Sequence, residues 1–322
     1  EALRLTTFNT YGGSVAVNNR AGLNVGELHS SNEGNGRLFL YSANDKPTVS
    51  LATNTSNGGG IMTIRNADGN ESIKASTFLN RQPYFLMLNT LSNPAVELKA
   101  NEFSDGELTL NSVLTNPTVR LTANDNAGGL VNVFNPKGDV AVRVNGEESG
   151  FVGIYNREKT EMIQLGILDN QNARITVNNR LGNPSADLFS NEFSDGELTL
   201  NSVLKNPVLR LSANENAGGL IHVFSKNNNL AARLTETEDE GDFKLFNKEK
   251  VDIINMNSFL GDGSITLKNK PGFESAGMNG SSLGGFIYVA DGAKTNGLNL
   301  RGVLNGGVGG GELELYNIEG IK

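Results

Sequence analysis

The chain has no cysteine and no tryptophan among its 322 residues, and aromatic residues make up only 7% of it. Without thiols it forms no disulfide framework, no thiolate metal site and no cysteine nucleophile, and its redox compartment is left open. So few large rings make a lean supply of core material. Long apolar runs are missing too: none approaches the roughly 18 residues a membrane helix needs, and the opening Glu1-Ala2-Leu3-Arg4-Leu5 lacks the form of a signal peptide. It starts in strand pattern without an initiating Met, which reads as an excerpt of something longer. Clustered positive charge is absent as well. With a formal charge of −8 and a pI near 5.0, nothing offsets phosphate repulsion, so nucleic acid is not an expected partner.

What the sequence does have is turn formers and repetition. Gly alone contributes 39 residues. The stretch Asn101 to Leu130 returns at Asn191 to Leu220 with 25 of 30 positions identical, the differences being Thr115/Lys205, Thr118/Val208, Val119/Leu209, Thr122/Ser212 and Asp125/Glu215. Within each copy two short alternating segments stand out, Leu108-Thr109-Leu110 and Val119-Arg120-Leu121. A period of two puts one face of a strand in a core and the other in water.

The two-strand unit runs the length of the chain. First strands carry apolar pairs such as Val15/Val17, Leu38/Leu40, Leu108/Leu110 and Ile221/Val223, and second strands are marked by Leu28, Leu51, Leu121 and Leu234. The step from first to second marker is 11 residues throughout, as in Val17 to Leu28 and Val289 to Leu300. The return step varies, from 10 (Val144 to Ile154) to 15 (Leu300 to Leu315). One connection is therefore a fixed corner and the other a loop that tolerates insertion. About fourteen such units make residues 1–322 one continuous array, with 101–190 and 191–280 as duplicated four-unit blocks. No 3.6-residue period persists, so little or no helix is expected.

The corner has turn chemistry. Two residues after the first-strand marker stand Asn19, Asn66, Asn89, Asn135, Asn156, Asn179, Asn247, Asn269 and Asn317, with Ser or Asp at the other corners. Such side chains bond nearby backbone, and stacked rung on rung they can form a ladder. Gly then recurs five after the marker, or Pro seven after it.

The pattern Gly128-Gly129-Leu130-Val131-Asn132-Val133-Phe134-Asn135-Pro136-Lys137-Gly138 resembles the repeat shafts of bacteriophage tail fibres and tail-associated hyaluronidases, and of long repetitive bacterial surface proteins. The resemblance covers essentially the whole chain and implies a homotrimer. Two architectures fit the repeat: an intertwined, homotrimeric triple-stranded β-helix, or a single-chain parallel β-solenoid. A single coil with two inward strands holds a thin core, which three chains would share, so the trimer is the expected fold.

Candidate chemistry is sparse. Asp105/Glu107 and Asp195/Glu197 place two acids at a strand entry, the residue types of a glycosidase pair, but beside a Gly turn they read as solvated acids. Glu236, Glu238, Asp239, Glu240 and Asp242 offer oxygen ligands for Ca²⁺ without the order of any calcium loop. His29 and His222 sit at outward strand positions. Tyr41, Phe134, Tyr155, Phe224, Phe246 and Tyr316 recur just past the first strand, as corner packing or as sugar platforms. Asn54, Asn70 and Asn279 begin glycosylation sequons. No catalytic residue, metal or cofactor is assigned. The expected function is the structural shaft of an extracellular fibre on a virion or cell surface, self-associated as a homotrimer and reaching a surface glycan or host receptor, without membrane insertion. The alternatives are a fibre-borne polysaccharide depolymerase or lyase, which the hyaluronidase resemblance implies, and a carbohydrate-binding adhesin.

Overall fold

The computed structural model describes residues 2–8, 12–30, 35–53, 59–77, 82–100, 105–124, 128–146, 149–167, 172–190, 195–214, 218–237, 240–259, 262–281, 284–289, 301–307 and 310–316. It forms two compact units, Glu1–Lys159 and Thr160–Lys322.

The first unit comprises β1 (Leu3–Phe8), β2 (Gly12–Asn18), β3 (Asn24–Ser30), β4 (Gly36–Tyr41), β5 (Pro47–Thr53), β6 (Gly60–Arg65) and β7 (Glu71–Thr77). It continues with β8 (Pro83–Leu88), β9 (Pro94–Ala100), β10 (Gly106–Asn111), β11 (Pro117–Asn124), β12 (Gly128–Phe134), β13 (Val140–Asn145) and β14 (Phe151–Tyr155). The second opens with β15 (Glu161–Ile167), β16 (Ala173–Asn178), β17 (Pro184–Ser190), β18 (Gly196–Asn201), β19 (Pro207–Asn214), β20 (Gly218–Phe224) and β21 (Leu230–Thr237). β22 (Glu240–Phe246), β23 (Asp252–Phe259), β24 (Asp262–Lys268), β25 (Glu274–Ser281), β26 (Gly284–Val289), β27 (Arg301–Gly307) and β28 (Gly310–Tyr316) complete it. All described regular structure is strand.

Each unit is an antiparallel meander in which every strand pairs with its neighbours in sequence. Leu28 faces Val15 on one side and Leu38 on the other, and Leu121 faces Leu108 and Val131. This pairing overturns the parallel β-solenoid, whose strands would all run one way. It also removes the intertwining from the expected triple-stranded β-helix: both ladder edges of an internal strand are taken by its own chain, leaving no slot for a strand of another.

The fixed corner is a hairpin turn. At the first one Gly22 N–H donates to Asn19 C=O (2.9 Å) and Asn19 N–H to Leu23 C=O (2.8 Å), and the register slips between Val17 and Asn18. A type I turn closed by a left-handed residue at a bulge is the three-residue hairpin connection. That left-handed residue is the fifth after the marker, with φ from 59° at Asp45 to 91° at Gly272. The recurring Gly thus answers a backbone requirement, which seven non-glycine residues, among them Thr115 and Lys205, meet with strain.

One register expectation fails. β27 begins at Arg301, with Ile287 opposite Leu304 and Val289 opposite Gly302, whereas the eleven-residue rule would place Leu300 opposite Ile287. The alternation between Gly292 and Gly311 is diluted by glycine, and without side chains to sort between faces a strand's register is weakly specified. Leu300 itself lies outside the described residues.

Candidate functional site

The register gathers the apolar residues onto one face as two parallel rows. In the first unit one row runs Leu5, Val15, Leu28, Leu38, Leu51, Met62, and on to Val131 and Val144. The other joins Leu3, Val17, Gly26, Leu40, Val49 and Ile64, and continues through Leu110, Val119 and Val133. The second unit repeats both, with Leu165, Ile175, Leu188 and Leu198 in one row and Ile163, Val177, Ala186 and Leu200 in the other.

This face is open. Leu28 is 53% exposed, Leu40 45% and Leu188 47%. It is indented by a trough of about 910 Å³ lined by Leu38, Leu51, Met62, Ala75, Phe85 and Leu98, and in the second unit by one of about 650 Å³ lined by Leu188, Leu198, Leu211, Ile221 and Leu234. An apolar surface this continuous exceeds what a monomeric soluble protein leaves uncovered.

The opposite face is polar and better covered. Thr63, Thr109 and Thr176 are each 3% exposed, and each lies beside a longer side chain on at least one flanking strand, Lys74, Arg120 and Asp187 respectively. Thr109 has Glu97 on one side and Arg120 on the other. The Thr109 hydroxyl donates to Glu107 (3.2 Å), which stands 3.6 Å from Lys99 Nζ and 3.8 Å from Arg120 Nε. In the twin, Thr199 donates to Glu197 (3.0 Å) and Arg210 Nε lies 3.1 Å away. Glu107 and Glu197 are therefore members of ion-pair ladders, each with its Oε1 facing both a threonine hydroxyl and a cation. Asp105 and Asp195 are half-buried at the entries of β10 and β18 and have partners of their own. Glu197 is among the residues lining the trough of about 650 Å³, whereas Asp105, Glu107 and Asp195 line neither trough.

Asp242, from the acidic run, is bound to Arg233 (2.7 Å) and Lys244 (2.9 Å). Burial pushes its carboxyl up, and the hydrogen bonds and charges of those two cations outweigh burial and leave it below the usual range. Glu238 and Asp239 lie outside the described residues. Among the described residues no three His, Cys, Asp or Glu side chains are grouped as metal ligands.

His29 stacks on Phe39 at 5.5 Å and approaches Glu27 at 3.6 Å. His222 meets Phe224 edge-on at 5.9 Å and lies between Arg210 and Arg233, its partners across β19 and β21. Among the aromatics past the first strands, Phe134 lies under Arg120 at 5.7 Å. Tyr41 donates to Glu27 (2.9 Å), and burial with this bond pushes its phenol up to about 12. Phe246 and Tyr155 are half-buried, and the side chain of Tyr316 is outside the described residues. The rings of Tyr41, Phe134 and Phe224 lie against the sheet's own side chains. Of the sequons, Asn70 and Asn279 are described and Asn54 is not.

At the corners, Asn19, Asn66, Asn89, Asn135, Asn179 and Asn247 each accept two backbone N–H bonds, from the residues two and four further on; at Asn135 these come from Lys137 (2.9 Å) and Asp139 (3.1 Å). Asn156 accepts from Glu158 (2.9 Å) and Asn269 from Phe273 (2.9 Å). Asn89 and Asn247 also reach the next corner, at Val113 C=O (3.3 Å) and Lys270 C=O (3.2 Å). The dominant service is to the residue's own turn, with corner-to-corner links at some rungs. Asn317 is outside the described residues.

Two features escaped sequence reasoning. Asn93 and Asn183, four residues into their corners, donate to Val113 C=O (3.0 Å) and Val203 C=O (3.2 Å), linking neighbouring corners. On the polar face Asp187 accepts from Arg174 Nε (2.8 Å) and from the buried Thr176 hydroxyl (2.9 Å). The signal for the second was the residue between each apolar pair, which alternation sends to the polar face.

No family model matches the chain, and no curated protein matches it. Among solved structures, a chain of the Photorhabdus luminescens Tc holotoxin pore carrying the TccC3-D651A mutation aligns with 97% of this chain and 16% of its own, at 9% identity and a TM-score of 0.18. A likeness that shallow carries no argument about fold or function.

Proposed function

We propose that the chain is the structural shaft of an extracellular fibre, built by three copies that turn their open apolar faces toward a common axis. The observation that supports this reading is the pair of continuous apolar rows left uncovered on each meander. Each strand offers two inward side chains, so one sheet makes a thin core and three faces pool theirs. The chains lie side by side, each keeping its own ladder, instead of alternating strands.

A lipid layer is a poorer cover. The two rows stand about 7 Å apart along a strand, against the roughly 25 Å apolar band of a membrane barrel. The polar face, with charges paired at Glu107, Glu197, Asp187 and Asp242, suits solvent. The reading assigns mechanical reach and no turnover.

Electron microscopy of the purified chain, paired with incubation on capsular polysaccharides, tests it. Unbranched rods that release neither reducing ends nor unsaturated sugars are expected. Globular particles, or polysaccharide shortening abolished by Glu107→Gln or Glu197→Gln, would overturn it in favour of a depolymerase.

A further inference from the structure

An antiparallel meander sorts its connections by side, so within the second unit every fixed corner lies along one side of the sheet and every variable loop along the other. The corners joining β16 to β17, β18 to β19, β20 to β21, β22 to β23 and β24 to β25 carry Arg180, Lys205, Lys226, Lys248, Lys250 and Lys270, all exposed. One carboxylate stands in these turns, Glu249, which lies 3.6 Å from Lys248 and 3.5 Å from Lys270. The loop side has the opposite sign. Asp195, Glu236, Glu240 and Asp262 stand at the strand ends there, and no Lys or Arg is the first or last described residue beside any of those loops.

The first unit shows that the turns do not require this charge. Ninety residues earlier, Thr90, Thr115 and Asp139 stand where Arg180, Lys205 and Asn229 do, and Gly146 where Glu236 does. Each corner difference makes the corner side of the second unit more positive, and the loop difference makes its loop side more negative. Lys205 and Lys250 also sit at φ 65° and 66°, a left-handed conformation that costs a lysine energy and that Gly adopts freely.

The two sides are a strand length apart, about 20 Å, well beyond the screening length of about 8 Å at physiological salt. They therefore do not neutralise each other within one sheet. An anionic partner would match the corner side alone, whereas a second copy of the chain matches both sides. A two-fold pair sets one side against itself and brings cation against cation. Copies related by rotation about a common axis instead bring unlike sides together at every junction.

We propose that the copies stand parallel, with the basic corner side of each second unit lying along the acidic loop side of the next copy's second unit. This rests on the reading that copies of the chain cover its apolar face, and it adds which edges meet.

Carbodiimide coupling of the full chain, which joins an amine to a carboxylate in contact with it, tests the arrangement when followed by peptide mass mapping. Covalent dimers and trimers bridged from Lys205, Lys226, Lys248 or Lys270 to Glu236, Glu240 or Asp262 are expected, and the width of the sheet prevents such a bridge within one copy. Charge reversal gives a second arm. Lys205→Glu/Lys226→Glu/Lys248→Glu and Glu236→Lys/Glu240→Lys/Asp262→Lys should each need about tenfold higher concentration to trimerise at low salt. The variant carrying both sets should regain the wild-type value, because its edges are complementary again. A trimer that forms without those bridges overturns the proposal whether or not any variant folds, and leaves the basic side to an anionic partner. Variants that all trimerise like the wild type overturn it too, as does a combined variant no stronger than the single-edge ones. A wild type that is monomeric at every concentration defeats the fibre reading itself, and this proposal with it.

Discussion

Tyr288 stands directly opposite Gly277 across β25 and β26, and a Cβ placed on Gly277 would come within 2.4 Å of the tyrosine ring. The ring is 6% exposed and its hydroxyl is bonded to Glu274 (2.9 Å), so it fills the space a side chain would occupy. Gly153 is crowded in the same way by Phe151 and Tyr155, at 2.8 Å.

Gly277→Ala should therefore destabilise the second unit by about 1–3 kcal/mol through overpacking. Thermal melting monitored by tyrosine fluorescence checks this, and Gly241→Ala, with nothing within 4 Å of its added Cβ, is the control expected to change little. Equal effects of the two substitutions would contradict the packing.

Asp187 is 8% exposed and accepts bonds from Arg174 and Thr176. Asp187→Ala leaves a guanidinium and a buried hydroxyl without their acceptor, which should cost about 1–3 kcal/mol once the partial exposure of Arg174 is allowed for. Thr176→Val removes one of these bonds and should cost less. Urea unfolding of both variants measures the difference.

His222 gives a pH dependence with a definite sign. Burial, then the nearby Arg233 and Arg210, hold its folded-state pKa below the ordinary 6.5. Between those two values the unfolded chain binds more protons, so stability is present above pH 6.5 and is lost as pH falls through that window. His222→Asn, the residue that the twin block carries at Asn132, should flatten the fall in melting temperature between pH 7.5 and pH 5.5. An identical slope in both proteins would contradict the placement of His222 between two arginines.

Thr115 occupies the left-handed corner position at φ 67°, where five of the described corners place Gly. A β-branched residue there is strained, so Thr115→Gly should raise stability by about 1 kcal/mol, net of the entropy Gly adds to the unfolded chain. A lowered melting temperature would show that the corner does not need that backbone conformation.

Much of this fold was legible in the sequence. The alternation around Leu108/Leu110 and Val119/Leu121 reports which residues share a face, and Asn135 with Gly138 reports the turn. Strand direction was not legible from alternation, because a period of two is the same in parallel and antiparallel sheets. The Gly that recurs five after several markers, as at Gly22 and Gly138, did hold the answer, since a left-handed residue at that place closes a hairpin. At Glu107 residue type was legible but not company: Lys99 and Arg120 arrive from neighbouring strands, eight residues before it and thirteen after. Leu300 misled because glycine around it erased the pattern that fixes register.

The solution mass of the purified chain, measured by multi-angle light scattering across dilution, tests the central claim that copies of this chain cover its apolar face. A mass of three times 34.3 kDa is expected, with binding of an apolar-surface dye appearing only on unfolding. A species of 34.3 kDa that is folded and dye-free would contradict it.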